Sequence, residues 1–319
     1  MNVFIIGATG FVGGALARHL SAEGHTVTGL ARTESAAATL DSQGITPLAG
    51  DLEERRAAVI EAAQAADAVI YAAQAGPEQE TATVQELTRA LTGTDKTLIF
   101  LSGNGVLVQR TAGAWSPDVF AEDDPFTPEP LADYRKAVED TVLAAARHGL
   151  RAMVIRPGLI WGPGDHGHVS MVYQSVAATG AACYIGEGLN TYSHVHIDDV
   201  TRLFTLALEK GRPGGLYHAV AGETPNRWIA ERFAADLGVE ARSLTPEEAS
   251  GVWGEFGALI MSVSGRIRAV RAQQDLGWRP QHTDMLTMIG EERPHRPATR
   301  QQPSAATPRP IRPTPYAPS

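Results

Sequence analysis

The chain has a single cysteine, Cys183, among 319 residues. No disulfide can form within it, and a reducing compartment, the cytoplasm, is the expectation. Cys183 reads as a small buried side chain rather than a nucleophile. Positive charge is also in short supply. Lys and Arg number 27 against 36 Asp and Glu, a formal charge of −9. A surface that neutralises nucleic-acid phosphates needs the opposite balance, so no nucleic acid is expected as a partner. No apolar run is long enough to span a membrane. The start, Met1-Asn2-Val3, lacks the basic stretch and cleavage site of a signal peptide. What remains is an ordinary soluble balance, 43% hydrophobic and 20% charged, in a chain long enough for a large core.

The end of the chain has little with which to build a core. From Glu291 it reads "EERPHRPATRQQPSAATPRPIRPTPYAPS" and holds eight of the 20 prolines. Five Arg less two Glu gives it +3, leaving −12 on the rest. Residues 291–319 are expected to be a Pro-rich, disordered, partly polyproline tail.

The remainder alternates. "NVFIIG" is a short apolar run rich in β-branched residues, ended by glycine, and predicts a buried strand. "FVGGALARHLSAEG" follows with helical spacing of Val12, Leu16 and Leu20. "HTVTGLA" predicts a second strand, and "TESAAATLDSQG" a helix capped by Thr33 and closed by Gly44. The same reading predicts strands at "ITPLAG", "DAVIYAA", "TLIFLS" and "RAMVIRP". Helices are predicted over Leu52 to Ala65, Gln79 to Leu91 and Leu131 to His148. Such alternation implies an α/β fold with a doubly wound parallel sheet. After Pro157 the pattern turns irregular and glycine-rich, which suits a small lobe built on the sheet.

"GATGFVG" lies between the first strand and the first helix. Gly7 permits the tight turn, Gly10 lets a pyrophosphate approach the backbone, and Gly13 lets the helix pack closely. The unpaired N–H groups of the helix start face the phosphates. Glycine triplets are common, but this strand–turn–helix setting points to a Rossmann-type dinucleotide site. Thr9, Phe11 and Val12 belong to the same turn. Acidic residues that end the second strand select NAD through the ribose 2′-hydroxyl. Here the strand ends "GLARTES", and Arg32 is placed to hold a 2′-phosphate, so NADP is expected, with NAD the alternative. Asp51 and Leu52 close the third strand near the adenine. Ala72, Ala73 and Gln74 close the fourth, where small residues let a cofactor lie against the backbone.

"GATGFVG", "GDL", "VIYAA", "RPGLIWGPGD", "SHVHIDDV" and "DLGWRP" occur in that order. Together they resemble the extended short-chain dehydrogenase/reductases, the NAD-dependent epimerase/dehydratase group, over about residues 1–285. The resemblance implies a dinucleotide-binding domain over 1–160, with segments near 190–220 returning to it. Residues 161–290 would form mainly a substrate lobe. It also implies cofactor contacts from Pro157 and Gly158, and a homodimer through the helices after the fourth and fifth strands. His194, His196 and Asp199 become structural parts of a strand-to-helix junction, and no metal is expected.

Members of that family use a Ser/Thr, a Tyr, and a Lys four residues after the Tyr. The phenol moves a proton at a carbonyl or alcohol oxygen while hydride moves at the nicotinamide. A lysine one helical turn on shares the phenol's face. This chain departs from that pattern. Matching "LSGNGVLV" on Val106 puts Gly103 at the hydroxyl position, with Ser102 and Asn104 on either side. In "ADYRKAVED", Tyr134 is followed by Lys136 only two residues on, about 200° around a helix. With Tyr134 in the Tyr position, Val138 replaces the lysine; matching on Glu139 instead puts Leu131 at the Tyr position, with no phenol, and Arg135 at the Lys position, where Arg135 can contact the cofactor ribose. Tyr134, Ser102, Asn104 and Lys136 are the candidate catalytic residues, and Tyr134 on a loop before the helix is a further option. His166 and His168 on "GPGDHGHVS" are alternative acid/base groups.

Residues 110–126 read as a long polar loop over the nicotinamide end, of a length that often forms a lid. Cations for a nucleotide diphosphate are sparse: Arg156, Arg212, Arg227, Arg266 and Arg268 are the options. A small or secondary-metabolite carbonyl compound therefore fits better than a sugar nucleotide. Three functions stay open: an NAD(P)-dependent carbonyl reductase; an isomerase, epimerase, dehydratase or cyclase on the same platform; and an NADP-binding regulatory or scaffold protein with little turnover.

Overall fold

The computed structural model describes residues 1–164 and 167–289. The tail at 291–319, Asp165 and His166 lie outside the described residues.

The first half alternates as the patterning predicts. Its elements are β1 (Asn2–Ile6), α1 (Phe11–Ala22), β2 (Thr26–Ala31), α2 (Glu34–Ser42), β3 (Thr46–Ala49), α3 (Arg56–Ala65), β4 (Ala68–Tyr71), α4 (Pro77–Leu91), β5 (Thr97–Leu101), α5 (Asp133–Ala145) and β6 (Arg151–Pro157). Thr33 caps α2, its hydroxyl accepting the Ala36 N–H at 3.1 Å. Three boundaries differ from expectation. α3 begins at Arg56 rather than Leu52, because one Asp51 oxygen accepts the N–H groups of Glu53 and Glu54 at 2.8 and 2.7 Å. That turn holds the backbone out of the helix. α4 begins at Pro77, where a missing N–H breaks no helical bond. α5 begins at Asp133, after a separate 3-10 turn over Pro130–Ala132.

The second half adds β7 (Leu159–Trp161), α6 (His168–Thr179), β8 (Ala182–Ile185), β9 (Thr191–His196), α7 (Ile197–Lys210), β10 (Gly215–Ala219), β11 (Gly222–Pro225), α8 (Asn226–Leu237), β12 (Ala241–Leu244), α9 (Pro246–Ser262), α10 (Arg271–Leu276) and α11 (Met285–Met288).

Seven strands form the main sheet in the order β10-β6-β5-β4-β1-β2-β3, and every pairing is parallel. Alternation along β1 serves both faces. Val3 and Ile5 enter one core with Leu16, Leu203 and Phe204, beneath α1 and α7. Phe4 and Ile6 enter the other with Val84, Leu87 and Val138, beneath α4 and α5. The strand order reverses between β1 and β4, and an open α/β sheet binds ligands at such a reversal. A third core, around Trp161, Phe233 and Met261, belongs to α6, α8, α9 and the β8–β12 pair.

The closing motif "DLGWRP" is tied to α7. Trp278 Nε1 donates to the Asp199 carbonyl at 3.0 Å, and the buried Asp199 carboxylate accepts the N–H groups of Gln281 and His282. The loop at 110–126 is not a free lid. Gln109 and Phe120 form bridges with Ser264 and Ile267, and the Glu122 carboxylate accepts the N–H groups of His218, Val270 and Arg271.

Candidate active site

The glycines of the first turn leave no room for side chains. Gly7 has φ +97°, and a Cβ there would stand 2.7 Å from the backbone of Ala72 and Ala73. A Cβ on Gly13 would stand 2.2 Å from the Gly7 carbonyl oxygen. Gly10 is the N-cap of α1, with no side-chain cap and no acidic residue in the first turn. The first N–H groups of α1 are thus left for an anion, and the turn fits a dinucleotide pyrophosphate. Thr9 and Gly10 are exposed at this turn, and Phe11 and Val12 are half-buried. Arg32 is exposed just past β2.

Other expected cofactor contacts carry structural duties. One oxygen of Asp51 is spent on the turn before α3, and these backbone N–H groups hold its pKa below the usual value. The Leu52 side chain is buried in the second core. Gly158 is required by packing, since a Cβ would stand 2.3 Å from the Ser193 carbonyl oxygen. Pro157 is buried at the end of β6, in register with Ala219 of β10.

A cavity of about 360 Å³ opens beyond the ends of β4 and β5. Gln74, Ser102, Val106, Val108, Tyr134 and Arg135 line it, and Leu259, Ile260 and Val263 form the wall from α9 and the segment after it. Ser102 is buried, and its Oγ has no hydrogen-bond partner among the described residues. Tyr134 is half-buried on the first turn of α5. Leu131, Tyr134 and Arg135 reach the cavity together because they lie three and four residues apart.

Lys136 does not share that face. Its Nζ lies 2.5 and 2.7 Å from the Asp140 oxygens, one turn along the outer side of α5. Helical geometry thus removes it from the candidate catalytic set. Asn104 also falls outside the lining of the cavity. It opens a 3-10 turn that carries its amide inward, and Nδ2 donates to the Gly265 carbonyl at 2.9 Å. Arg135 is the cation beside Tyr134. Its Nη1 meets both Glu80 oxygens, at 3.1 and 3.0 Å, and its Nη2 donates to the Leu101 carbonyl at 2.9 Å. Both terminal nitrogens are therefore engaged by protein, and Nη2 keeps one further N–H. Burial raises the Glu80 pKa, and Arg135 opposes that shift.

His168 is buried at the start of α6, and its Nε2 lies 2.7 Å from Asn226 Oδ1. Asn226 uses its own amide to donate to Met261, so its oxygen accepts and His168 Nε2 donates. Burial lowers the His168 pKa to about 4, which makes it a structural neutral imidazole. His194 in β9 is likewise lowered to about 4 by burial. His196, Asp198 and His282 bring possible ligand atoms within 4.8 Å of one another. Their own bonds explain this. His196 caps α7, His282 Nδ1 donates to Asp199 at 3.2 Å, and the two rings stack with centroids 4.3 Å apart.

The arginines considered for a diphosphate are all paired elsewhere. Arg156 is buried with Glu139, and Arg212, Arg227, Arg266 and Arg268 meet Asp275, Glu231, Glu223 and Asp124. Two arginines reach the cavity, Arg135 and Arg110, and sequence reasoning passed over the second.

Residues 3–220 match the model of the NAD dependent epimerase/dehydratase family. The chain is an enzyme of that family. A protein of Schizosaccharomyces pombe is 34% identical over 302 residues, with 92% of this chain and 99% of its own covered. The 2-alkyl-3-oxoalkanoate reductase of Stenotrophomonas maltophilia is 30% identical, with 75% of this chain and 76% of its own covered. The fold is that of dTDP-glucose 4,6-dehydratase from Streptomyces venezuelae, solved with NAD bound, at a TM-score of 0.74 and 20% identity. That alignment covers 92% of this chain and 95% of the dehydratase.

Proposed function

We propose that this protein is an NADP-dependent oxidoreductase that reduces the carbonyl of a small, largely apolar substrate, of the kind met in secondary metabolism. The observation that carries the reading is Ser102, a buried hydroxyl without a partner among the described residues, bordering an apolar cavity that also holds Tyr134. An unsatisfied buried hydroxyl is held at about 1–3 kcal/mol above its bonded state. Rotation about χ1 to meet a substrate oxygen relieves that penalty.

When bound, the reduced nicotinamide supplies the hydride to the carbonyl carbon. Tyr134 donates its phenolic proton to the carbonyl oxygen, which becomes the product hydroxyl. Ser102 donates a hydrogen bond to that same oxygen and orients it. Arg135 acts through position. It ties the first turn of α5 to the end of β5 and so fixes Tyr134 relative to Ser102. Apolar walls exclude water from the reacting carbonyl. The reductase name of the Stenotrophomonas relative supports a ketone as substrate.

Two departures from the family pattern favour a second reading, a cofactor-binding protein with little turnover. Gly103 stands at the hydroxyl position, and with Tyr134 at the Tyr position Val138 stands where the family has lysine. Turnover separates the two. NADPH oxidation with a panel of apolar ketones, lost in Tyr134→Phe, supports the reductase. Tight NADPH binding with no oxidation by any ketone supports the second reading.

A further inference from the structure

We propose that the cavity is built for an oxo acid, a ketone whose carboxylate is bound at the cavity rim by Arg110. The inference rests on the reductase reading above and specifies its substrate class.

The placement of Arg110 follows from backbone pairing. Gln109 and Ser264 exchange both N–H···O bonds, at 2.8 and 3.0 Å, in an antiparallel bridge. Side chains alternate along such a segment. Gln109 turns away, and its amide meets Ser116 and Asp118. Val108 and Arg110 on either side of it both line the cavity.

Glu129 faces Arg110 from just before the 3-10 turn that carries Leu131. The Arg110 Nε donates to Glu129 Oε2 at 2.7 Å. Among the described residues this is the sole bond of that guanidinium. A guanidinium carries five N–H donors, and its two terminal nitrogens form a fork matched to a carboxylate. With a side chain 59% exposed, Arg110 presents that fork where a ligand can reach it. Arg135 cannot, because both its terminal nitrogens are bonded to protein.

Besides Tyr134, Gln74 and the protein-bonded Arg135, two polar groups with bonding capacity to spare border the cavity. Ser102, at the end of β5, is neutral and has no partner among the described residues. Arg110, near Glu129, is cationic and half-committed. Between them the lining is Val106, Val108, Leu131, Ile260 and Val263. A ligand that satisfies all three has a neutral acceptor inside, an apolar body and one anionic group outside. A diphosphate fits poorly. It brings more than one negative charge to a single arginine that already has a carboxylate beside it. A monocarboxylate adds the least excess charge beside the Arg110–Glu129 pair.

The test compares a series of medium-chain oxo acids, the ketone stepped along the chain, each beside its methyl ester. kcat/KM with NADPH is measured for wild type, Arg110→Gln and Glu129→Gln. Wild type is expected to prefer the acid over the ester by about tenfold to a hundredfold at the best ketone position. Arg110→Gln brings that ratio toward one, mainly through KM. Glu129→Gln removes the competing carboxylate and raises the ratio. A wild-type preference for the ester, or a ratio unmoved by both substitutions, overturns the proposal and leaves the pair as a latch. If wild type reduces neither acid nor ester, the reductase reading fails by itself. The anion site is then judged by thermal shift of the NADP-saturated protein. Stronger stabilisation by the acid than by the ester, lost in Arg110→Gln, sustains it; equal shifts overturn it.

Discussion

The Nη1 of Arg135 lies 3.0 Å from Oε2 and 3.1 Å from Oε1 of Glu80, a carboxylate with no solvent exposure. The same guanidinium reaches the carbonyl of Leu101, so one side chain joins α4, α5 and the end of β5. Removing one partner of a buried pair leaves an uncompensated charge and costs about 3–5 kcal/mol. Arg135 is partly exposed, which lowers the expectation to about 2–4 kcal/mol for Arg135→Met, read from denaturant midpoints. The first turn of α5 should loosen as well. kcat is expected to fall more than the affinity for NADPH changes. An unchanged kcat in a destabilised variant would make the pair purely structural.

Tyr134 and Lys136 are expected to part company under mutation. Loss of a positioned proton donor lowers rates by about 10²–10⁴-fold, and Tyr134→Phe should fall in that range for kcat/KM. Lys136 makes only an i,i+4 pair with Asp140 on the outer side of α5. Lys136→Met should therefore lose no more than about 0.5 kcal/mol of stability and leave kcat within about twofold. Equal rates for Tyr134→Phe and wild type would remove Tyr134 from the chemistry.

Arg32 is exposed past the end of β2. A charge-assisted bond to a 2′-phosphate should weaken NADPH binding by about tenfold to a hundredfold in Arg32→Ser. NADH lacks that phosphate, and its affinity should change by no more than about threefold. Fluorescence titration of the two cofactors measures both. Equal losses would show that Arg32 does not read the phosphate.

The parts of this protein that were legible are those whose signal is local. Gly7 and Gly13 announce themselves because a tight turn and a close helix contact each need a missing Cβ within a few residues. The strands of the sheet were legible because parallel strands are buried on both faces and read as continuous apolar runs. What stayed hidden depends on chain segments far apart. Residues 110–126 look like a free lid until Gln109 is seen paired with Ser264 and Phe120 with Ile267. That pairing is also what turns Arg110 into the cavity. Asp51 misled by being a turn former, spending its carboxylate on Glu53 and Glu54 and delaying α3. Whether Tyr134 and Lys136 obey helical spacing depends on where α5 begins, and its start at Asp133 puts both inside the helix.

The buried histidines predict the acid limb of stability. Burial lowers His168 and His194 to about 4 and His218 to about 3, the last with help from Arg156. In the unfolded chain each returns to about 6.5. Between those values the unfolded state holds the extra protons, so stability rises with pH and is lost as pH falls. Above pH ~6.5 the contribution is fully present. From ~6.5 down to ~4 each histidine removes up to about 1.4 kcal/mol per pH unit. Urea unfolding at several pH values across that window should show a slope of more than one proton. His218→Gln should flatten the slope by about one proton, whatever it does to stability at neutral pH. A slope unchanged by that substitution would mean that His218 is not neutral in the folded protein.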